Sequence, residues 1–228
     1  PTITADFLSI SEGGTVVLNS GFVSSTDPDN TAGQLTYTVG GVTGGQFELV
    51  AAPGSGITTF TQTQVNSGAV QFVHDGGEVA PSYTLSLSDG AVTVGPQSAL
   101  IAFSNVNDTP TITANSLSIS EGGTVVLNSG FMNATDPDHS TNQLTYSVSA
   151  LSGGRFEFVA SPGVAITTFT QASINSGLVQ FVHDGGDAAP VYSLTVSDGL
   201  STSVLSDAVI LFTRTNDLPT ISSISGQT

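Results

Sequence analysis

The groups that could do chemistry in this chain are its carboxylates, and their spacing is ordered. Sixteen of the 18 acidic residues fall into pairs 109 positions apart: Glu12/Glu121, Asp27/Asp136, Asp29/Asp138, Glu48/Glu157, Asp75/Asp184, Glu78/Asp187, Asp89/Asp198 and Asp108/Asp217. Asp6 and Asp207 alone lack an acidic counterpart. Acids that only kept a surface soluble would drift between copies. These recur in TDPD, HDGG, SDG and ND motifs, which read as turns. Asp27-Pro28-Asp29 sets two carboxylates on one short loop aimed by the proline, and Asn107-Asp108 places an amide oxygen beside a carboxylate. Calcium takes roughly six to eight oxygen ligands at about 2.3–2.6 Å, so such loops suit it. Zinc or copper suits them less, because the chain has three histidines, no cysteine and no His/Cys cluster. Turn capping without any metal is the plain alternative, since Asp and Asn close turns on their own.

Composition narrows the partners. The formal charge is −16, with Arg155 and Arg214 the only basic residues. So acidic a chain repels nucleic acid and anionic lipid and attracts cations. Neither a nucleic-acid partner nor membrane insertion is expected, and no long apolar run, signal peptide or lipidation motif occurs. The absence of cysteine excludes a disulfide framework and thiol catalysis. Sparse charge and abundant Ser and Thr point to an extracellular or cell-surface setting. The chain starts abruptly at Pro1 and is expected to be a piece of something longer.

The elements that must position the acids come in two copies. Ser11–Phe22 recurs at Ser120–Phe131, and Gln71–Gly77 recurs at Gln180–Gly186, always at an offset of 109 with no insertion. That length exceeds a solenoid unit of roughly 20–50 residues and suits an independent domain. Domains are therefore expected at 1–109 and 110–218, with 219–228 the start of a third copy or a tail. Within a copy, Leu8–Ile10, Val16–Leu18, Leu35–Val39, Phe47–Val50, Val70–Val73, Tyr83–Leu87 and Leu100–Phe103 are short apolar or alternating runs, separated by Gly, Asn, Asp and Pro. They predict an all-β fold: two tandem seven-stranded Greek-key, immunoglobulin-like β-sandwiches in a rod. The one helical hint is Thr61–Asn66. Strand-end loops gather at the poles of a sandwich. Carboxylates brought together there repel one another unless a cation intervenes.

At these same residues the sequence resembles cadherin-like repeats of the chondroitin-sulfate-proteoglycan type, as in large bacterial surface adhesins. FTQxxVNSGxVQFVHDGGE at Phe60–Glu78, YTLSLSDG at Tyr83–Gly90 and VNDTP at Val106–Pro110 carry the likeness, as do Phe169–Asp187 and Tyr192–Gly199 in the second copy. The resemblance covers nearly the whole chain. It implies calcium held between repeats. An early Glu, a mid-domain acidic motif and the linker come from one repeat, and a DxD pair and a later Asp come from the next. Transferred motif by motif, Glu12, Asp75, Glu78, Asn107 and Asp108 would act with Asp136, Asp138 and Asp198. Asp27, Asp29 and Asp89 would serve a preceding repeat, and Glu121, Asp184, Asn216 and Asp217 a following one. The linker departs from the family's DxNDN pattern: its first Asp is Asn105 in one copy and Arg214 in the other, and its last Asn is Thr109 in the first copy. Fewer charges imply weaker or fewer ions, one to three per junction.

Other motifs read as structural. His74-Asp75 and His183-Asp184 invite a triad reading, but no nucleophile motif accompanies them, and a packed histidine at a strand end is expected instead. Gly44-Gly45 and Gly76-Gly77 are turn glycines with no lysine following. Glu48 and Glu157, mid-strand, are expected on a solvated face. With no tryptophan, there is no evident sugar platform. The sequence thus reads as a non-enzymatic, calcium-rigidified spacer in cell adhesion. Its expected partners are calcium, neighbouring repeats, and other copies of itself or a cell-surface receptor. The alternative is a building block of a self-assembling extracellular filament or surface layer.

Overall fold

The structure is a computed structural model that describes residues 1–219, so the expected third copy lies outside the described residues from residue 220 on. The chain divides into two compact units, Pro1–Val106 and a second that begins at Asn107. The first unit runs β1 (Thr2–Ser11), β2 (Thr15–Val17), β3 (Val23–Thr26), β4 (Thr36–Thr43), β5 (Gly45–Leu49), β6 (Thr59–Thr61), α1 (Gln62–Asn66), β7 (Val70–His74), β8 (Ser82–Ser88), β9 (Thr93–Ser98) and β10 (Leu100–Ser104). All seven expected strand cores fall in strands. Three short strands, β3, β6 and β9, join them. They carry one apolar residue inward at most, too little for a periodic signal.

Strands order as β2-β7-β5, as β6-β4-β8-β9 and as β10-β1-β3. The first two sheets face each other, because alternate residues of each point inward: β7 is buried at Val70, Phe72 and His74, and β8 at Tyr83, Leu85 and Leu87. Phe47 of β5 meets Tyr83 of β8 edge-on at 4.8 Å, so the two layers interlock through aromatic rings. Strand β1 is the middle strand of the third sheet. Its first half pairs antiparallel with β3 and its second half runs parallel to β10.

The second unit repeats this plan with β11 (Thr111–Ser120), β12 (Thr124–Val126), β13 (Met132–Thr135), β14 (Thr145–Ser152), β15 (Gly154–Phe158), β16 (Ala165–Ile166), β17 (Thr168–Thr170), α2 (Gln171–Asn175), β18 (Val179–His183), β19 (Val191–Ser197), β20 (Ser206–Asp207) and β21 (Val209–Thr213). Its core is the matching set: Phe156 meets Tyr192 edge-on at 4.9 Å.

Polar groups knit the interior. The helical hint is real: Thr61 caps α1 by accepting from the Gln64 N–H, and the Gln64 side chain returns to the Thr61 N–H. Gln62, buried, accepts from Tyr37 Oη at 2.6 Å and from Ser25 Oγ at 2.9 Å. The expectation of a solvated face for Glu48 and Glu157 fails, because both are buried, 3% and 2% exposed. Glu48 accepts from Gln71 Nε2 and the Gly54 N–H, both at 2.7 Å, and from Gln46 Nε2 at 3.0 Å. These hydrogen bonds, Gln71 foremost, hold its carboxyl below the usual range. The loop after β5 folds back over the outer face of the strand and covers the glutamate, with Glu48 bridging to Gly56.

The Gly-Gly pairs after β4 and within β14–β15 have a second role besides turning. A Cβ on Gly154 would lie 2.5 Å from the Val182 carbonyl oxygen and 2.6 Å from the Phe181 ring. Gly154→Ala should therefore destabilise the second unit by about 1–3 kcal/mol, measurable as a lower unfolding midpoint. A midpoint equal to wild type would refute the close approach.

Asp6, like Asp207 an acid with no acidic counterpart, is buried where β1 changes partner from β3 to β10. Neither carboxyl oxygen has a partner, and the Tyr83 hydroxyl is also buried and unmatched. Burial pushes its carboxyl up to about 6. Tyr37 and Tyr83 are the titratable groups that feel its charge. In the second unit the position is Asn115, which donates to the Ser206 carbonyl at 2.8 Å; the acid stands instead at Asp207, accepting from Ser193 Oγ at 2.6 Å. Because the folded value is raised, the stability Asp6 supplies is complete below the unfolded carboxylate range and lost as pH rises through about 6. Asp6→Asn should stabilise the first unit at neutral pH by roughly 1–2 kcal/mol after solvent screening. It should also flatten the stability profile between about pH 4 and 6. Calorimetric profiles of mutant and wild type with the same pH slope would show the reading to be wrong.

Candidate metal centre

Each acidic loop is first a turn. In the second unit, Asp136 Oδ1 accepts from the Asp138 N–H at 2.9 Å and the His139 N–H at 2.8 Å, with Pro137 fixing the chain between them. Asp198 Oδ1, just after β19, accepts from the Leu200 and Ser201 N–H groups, both at 2.6 Å. These bonds use one oxygen of each carboxylate and aim the other.

Three segments then converge. Asn107 Nδ2 donates to Asp198 Oδ2 at 3.0 Å, and Ser201 Oγ donates to the same oxygen at 2.8 Å. The Asp108 N–H donates to Asp138 Oδ2 at 2.7 Å. Asp136, His139 and Asp198 each present a ligand atom within 4.8 Å of the others. Two atoms are left over: Asp136 Oδ2 and Asn107 Oδ1 are buried and have no hydrogen-bond partner. A buried carboxylate oxygen without a donor is costly, so the arrangement favours a cation. Burial pushes the Asp198 carboxyl up, but the Ser201 N–H, the Asn107 amide and the Leu200 N–H outweigh it and hold the group well below the ordinary carboxylate range. It remains ionised. The donors fit calcium in chemistry: Asn107, Asp108, Asp136, Asp138 and Asp198 offer hard oxygens.

The first unit has the same loops. Asp27 Oδ1 accepts from the Asp29 and Asn30 N–H groups at 2.8 and 2.9 Å, and Asp89 Oδ1 from Ala91 and Val92 at 2.8 and 2.7 Å. Asp27 and Asp89 thus each close a turn with one carboxylate oxygen, as Asp136 and Asp198 do.

The remaining candidates lie near the chain's exit from each unit. Glu12 Oε2 accepts from the Val106 N–H at 3.0 Å, and Glu78 Oε2 from Asn105 Nδ2 at 2.6 Å. Glu121, Asp187 and Asp217 form the second unit's group, with ligand atoms within 4.8 Å of one another, and Glu121 accepts from the Thr215 N–H. Arg214, standing where the family has an Asp, is paired with Asp187. Asn216 donates to the Asp217 carbonyl. Asp75 and Asp184 turn outward and cap their own HDGG turns through the Gly77 and Gly186 N–H groups. His74 and His183 are buried, as a packed strand-end histidine should be. Nδ1 of His74 accepts from the Gly13 and Gly76 N–H groups, Nε2 faces the Val79 carbonyl, and the ring stacks on Phe103.

Sequence reasoning missed His139. It takes the position of Asn30 and stands directly after the DPD motif, so an offset comparison of the two copies could have flagged it. Its Nδ1 lies 3.1 Å from Asp136 Oδ1 and 3.8 Å from Asp198 Oδ2.

A family model described as Cadherin-like matches residues 1–103 and again residues 110–212. Relatives include the extracellular matrix organizing protein FRAS1 of Mus musculus, 29% identical over 85% of this chain, and chondroitin sulfate proteoglycan 4 of Rattus norvegicus, 30% identical over 86%. Extracellular matrix protein 3 of Lytechinus variegatus is 30% identical over 87%. The matches span only 5%, 9% and 7% of those relatives' own lengths. Among solved structures, the first two domains of human protocadherin-24 align over 96% of this chain and 99% of theirs, with a TM-score of 0.51 at 19% identity, which speaks for the fold. No helix among the described residues is long and apolar enough to cross a membrane.

Asp198→Ala should free the loop it caps. Amide exchange at Leu200 and Ser201 should speed by roughly tenfold or more while the β19 amides stay protected. Unchanged exchange at those two amides would show that the carboxylate does not hold the turn.

Proposed function

The chain belongs to the cadherin-like family, and on that premise we propose that it is a calcium-binding tandem-repeat segment of an extracellular adhesive or matrix protein. In this reading, residues 1–109 and 110–218 are its modules, and calcium stiffens a spacer built from them. The observation that carries it is the pair of buried, unmatched oxygens, Asp136 Oδ2 and Asn107 Oδ1, in a pole already rich in carboxylates. A divalent ion supplies the charge that these groups lack and that a chain of −16 cannot provide from its two arginines. Bound there, calcium would neutralise the pole and tie the Asn107-Asp108 segment to the loops at Asp136 and Asp198. The same residues acting only as turn caps would leave both oxygens unexplained. The relatives are named as matrix proteins and a proteoglycan, which supports an extracellular, non-enzymatic role.

A second reading, self-assembly into a filament or surface layer, draws on one observation. Strand β21 ends its sheet with Val209 and Leu211 exposed at 72% and 68%. An uncovered strand edge with outward apolar residues can pair with another chain. Sedimentation of the purified chain would separate the two: concentration-dependent polymers favour assembly, and a monomer at all concentrations opposes it.

Calcium at a hundredfold excess over its dissociation constant should stabilise the folded chain by about 2.7 kcal/mol. The melting temperature should rise by several degrees, and chelator should reverse the rise. An Asp136→Asn, Asp198→Asn double variant should lose the response. A melting curve indifferent to calcium and chelator would sink the proposal.

A further inference from the structure

The second unit's pole differs from the first in one residue that matters to metal chemistry, His139 in place of Asn30. We propose that Asp136, His139 and Asp198 form a nitrogen-containing site that takes a borderline transition-metal cation such as zinc or cobalt, a selectivity that the Asp27/Asp89 pole lacks. The inference rests on the reading of this pole as a cation site and adds which cation it discriminates.

Geometry comes first. His139 Nδ1 is 3.1 Å from Asp136 Oδ1 and 3.8 Å from Asp198 Oδ2. Ligand atoms about 2.0–2.1 Å from a tetrahedral zinc lie about 3.3 Å from one another. The 3.1 Å contact is a hydrogen bond in the absence of an ion, and all three ligand atoms lie within 4.8 Å of one another, so a small movement brings them to coordination spacing. Their side chains are withdrawn from solvent, with His139 14% exposed and both carboxylates 0%. Asp136 also holds a buried oxygen that no donor satisfies. Asn107, whose amide touches Asp198, carries a second such oxygen. Those unmatched atoms are the independent sign that something is to be bound.

Chemistry then selects the ion. Imidazole nitrogen suits zinc, copper, nickel and cobalt, whereas calcium prefers oxygen alone. In the neutral ring one nitrogen carries the hydrogen, and placing it on Nε2 frees the Nδ1 lone pair for the metal. No other imidazole can substitute. His74 and His183 each commit Nδ1 to two backbone N–H groups and Nε2 to a carbonyl. Cysteine is absent. In the first unit, Asn30 offers an amide and no nitrogen lone pair.

The test uses the full chain with zinc or cobalt as the sole added metal, titrated calorimetrically and by the visible absorption of cobalt. The wild type should bind one equivalent with a nitrogen-ligated cobalt spectrum. His139→Asn, which installs the first unit's residue, should weaken zinc by at least about tenfold and lose the cobalt band while keeping the calcium-induced rise in melting temperature. Asp136→Asn should lose both. Equal zinc affinity and an equal spectrum in His139→Asn would overturn the inference while leaving calcium binding intact. Failure of the wild type to bind zinc or cobalt would overturn it as well, whatever calcium does. A wild type indifferent to calcium but dependent on His139 for zinc would sink the calcium reading alone.

Discussion

Four acidic loops in this protein each spend one carboxylate oxygen on their own backbone and keep the other out of the turn. Asp27, Asp89, Asp136 and Asp198 all follow that division, with Oδ1 closing a turn across two successive N–H groups. Turn closure and cation binding are therefore not competing explanations of the same acids. The turn bonds are what fix the free oxygens in place, and the like charges they gather are what make a positive partner favourable. In the second unit the unmet atoms are Asp136 Oδ2 and Asn107 Oδ1.

The sandwich supports this arrangement through a polar skeleton that is the same in both copies. Glu48 and Glu157 tie a loop over the outside of a strand. Gln62 and Gln171 anchor the single helical turn to the buried tyrosines. His74 and His183 clamp the turn before β2 or β12 to the HDGG turn. Buried polar groups of this kind are tolerated only when each finds partners, and here they do. They also commit the lone pairs and protons of His74, His183, Glu48 and Glu157 to hydrogen bonds within the fold.

Against that shared skeleton the two units differ at a few informative points. The acid without a counterpart also differs in place, Asp6 buried in β1 of the first unit and Asp207 exposed in β20 of the second, and only the latter has a hydroxyl donor. Asn30 becomes His139 beside the DPD loop, and Asn105 becomes Arg214 beside Asp187. Each exchange alters charge or hydrogen-bonding type at one position while both units keep the same apolar core.

Local patterns were enough to reveal the repeat, the all-β class, the seven main strands, the capped helical turn at Thr61 and the acidic loops. All of these arise from neighbours in the chain: period-two burial, proline and glycine at turns, and aspartate accepting from the next two or three N–H groups. What could not be read there are relations across the fold. Asn107 touches Asp198 from 91 residues away. Glu48 looked like a surface residue because alternation marks the side facing away from the core, and a loop covering that side leaves no periodic trace. His139 looked isolated because its carboxylate partner at 198 comes from a different loop. Asp75 looked equivalent to Glu78, yet one caps its own turn and the other reaches Asn105. Burial and ligand convergence depend on which strand ends the sandwich brings together, and that information is carried by pairing between distant segments rather than by the order of residues along any one of them.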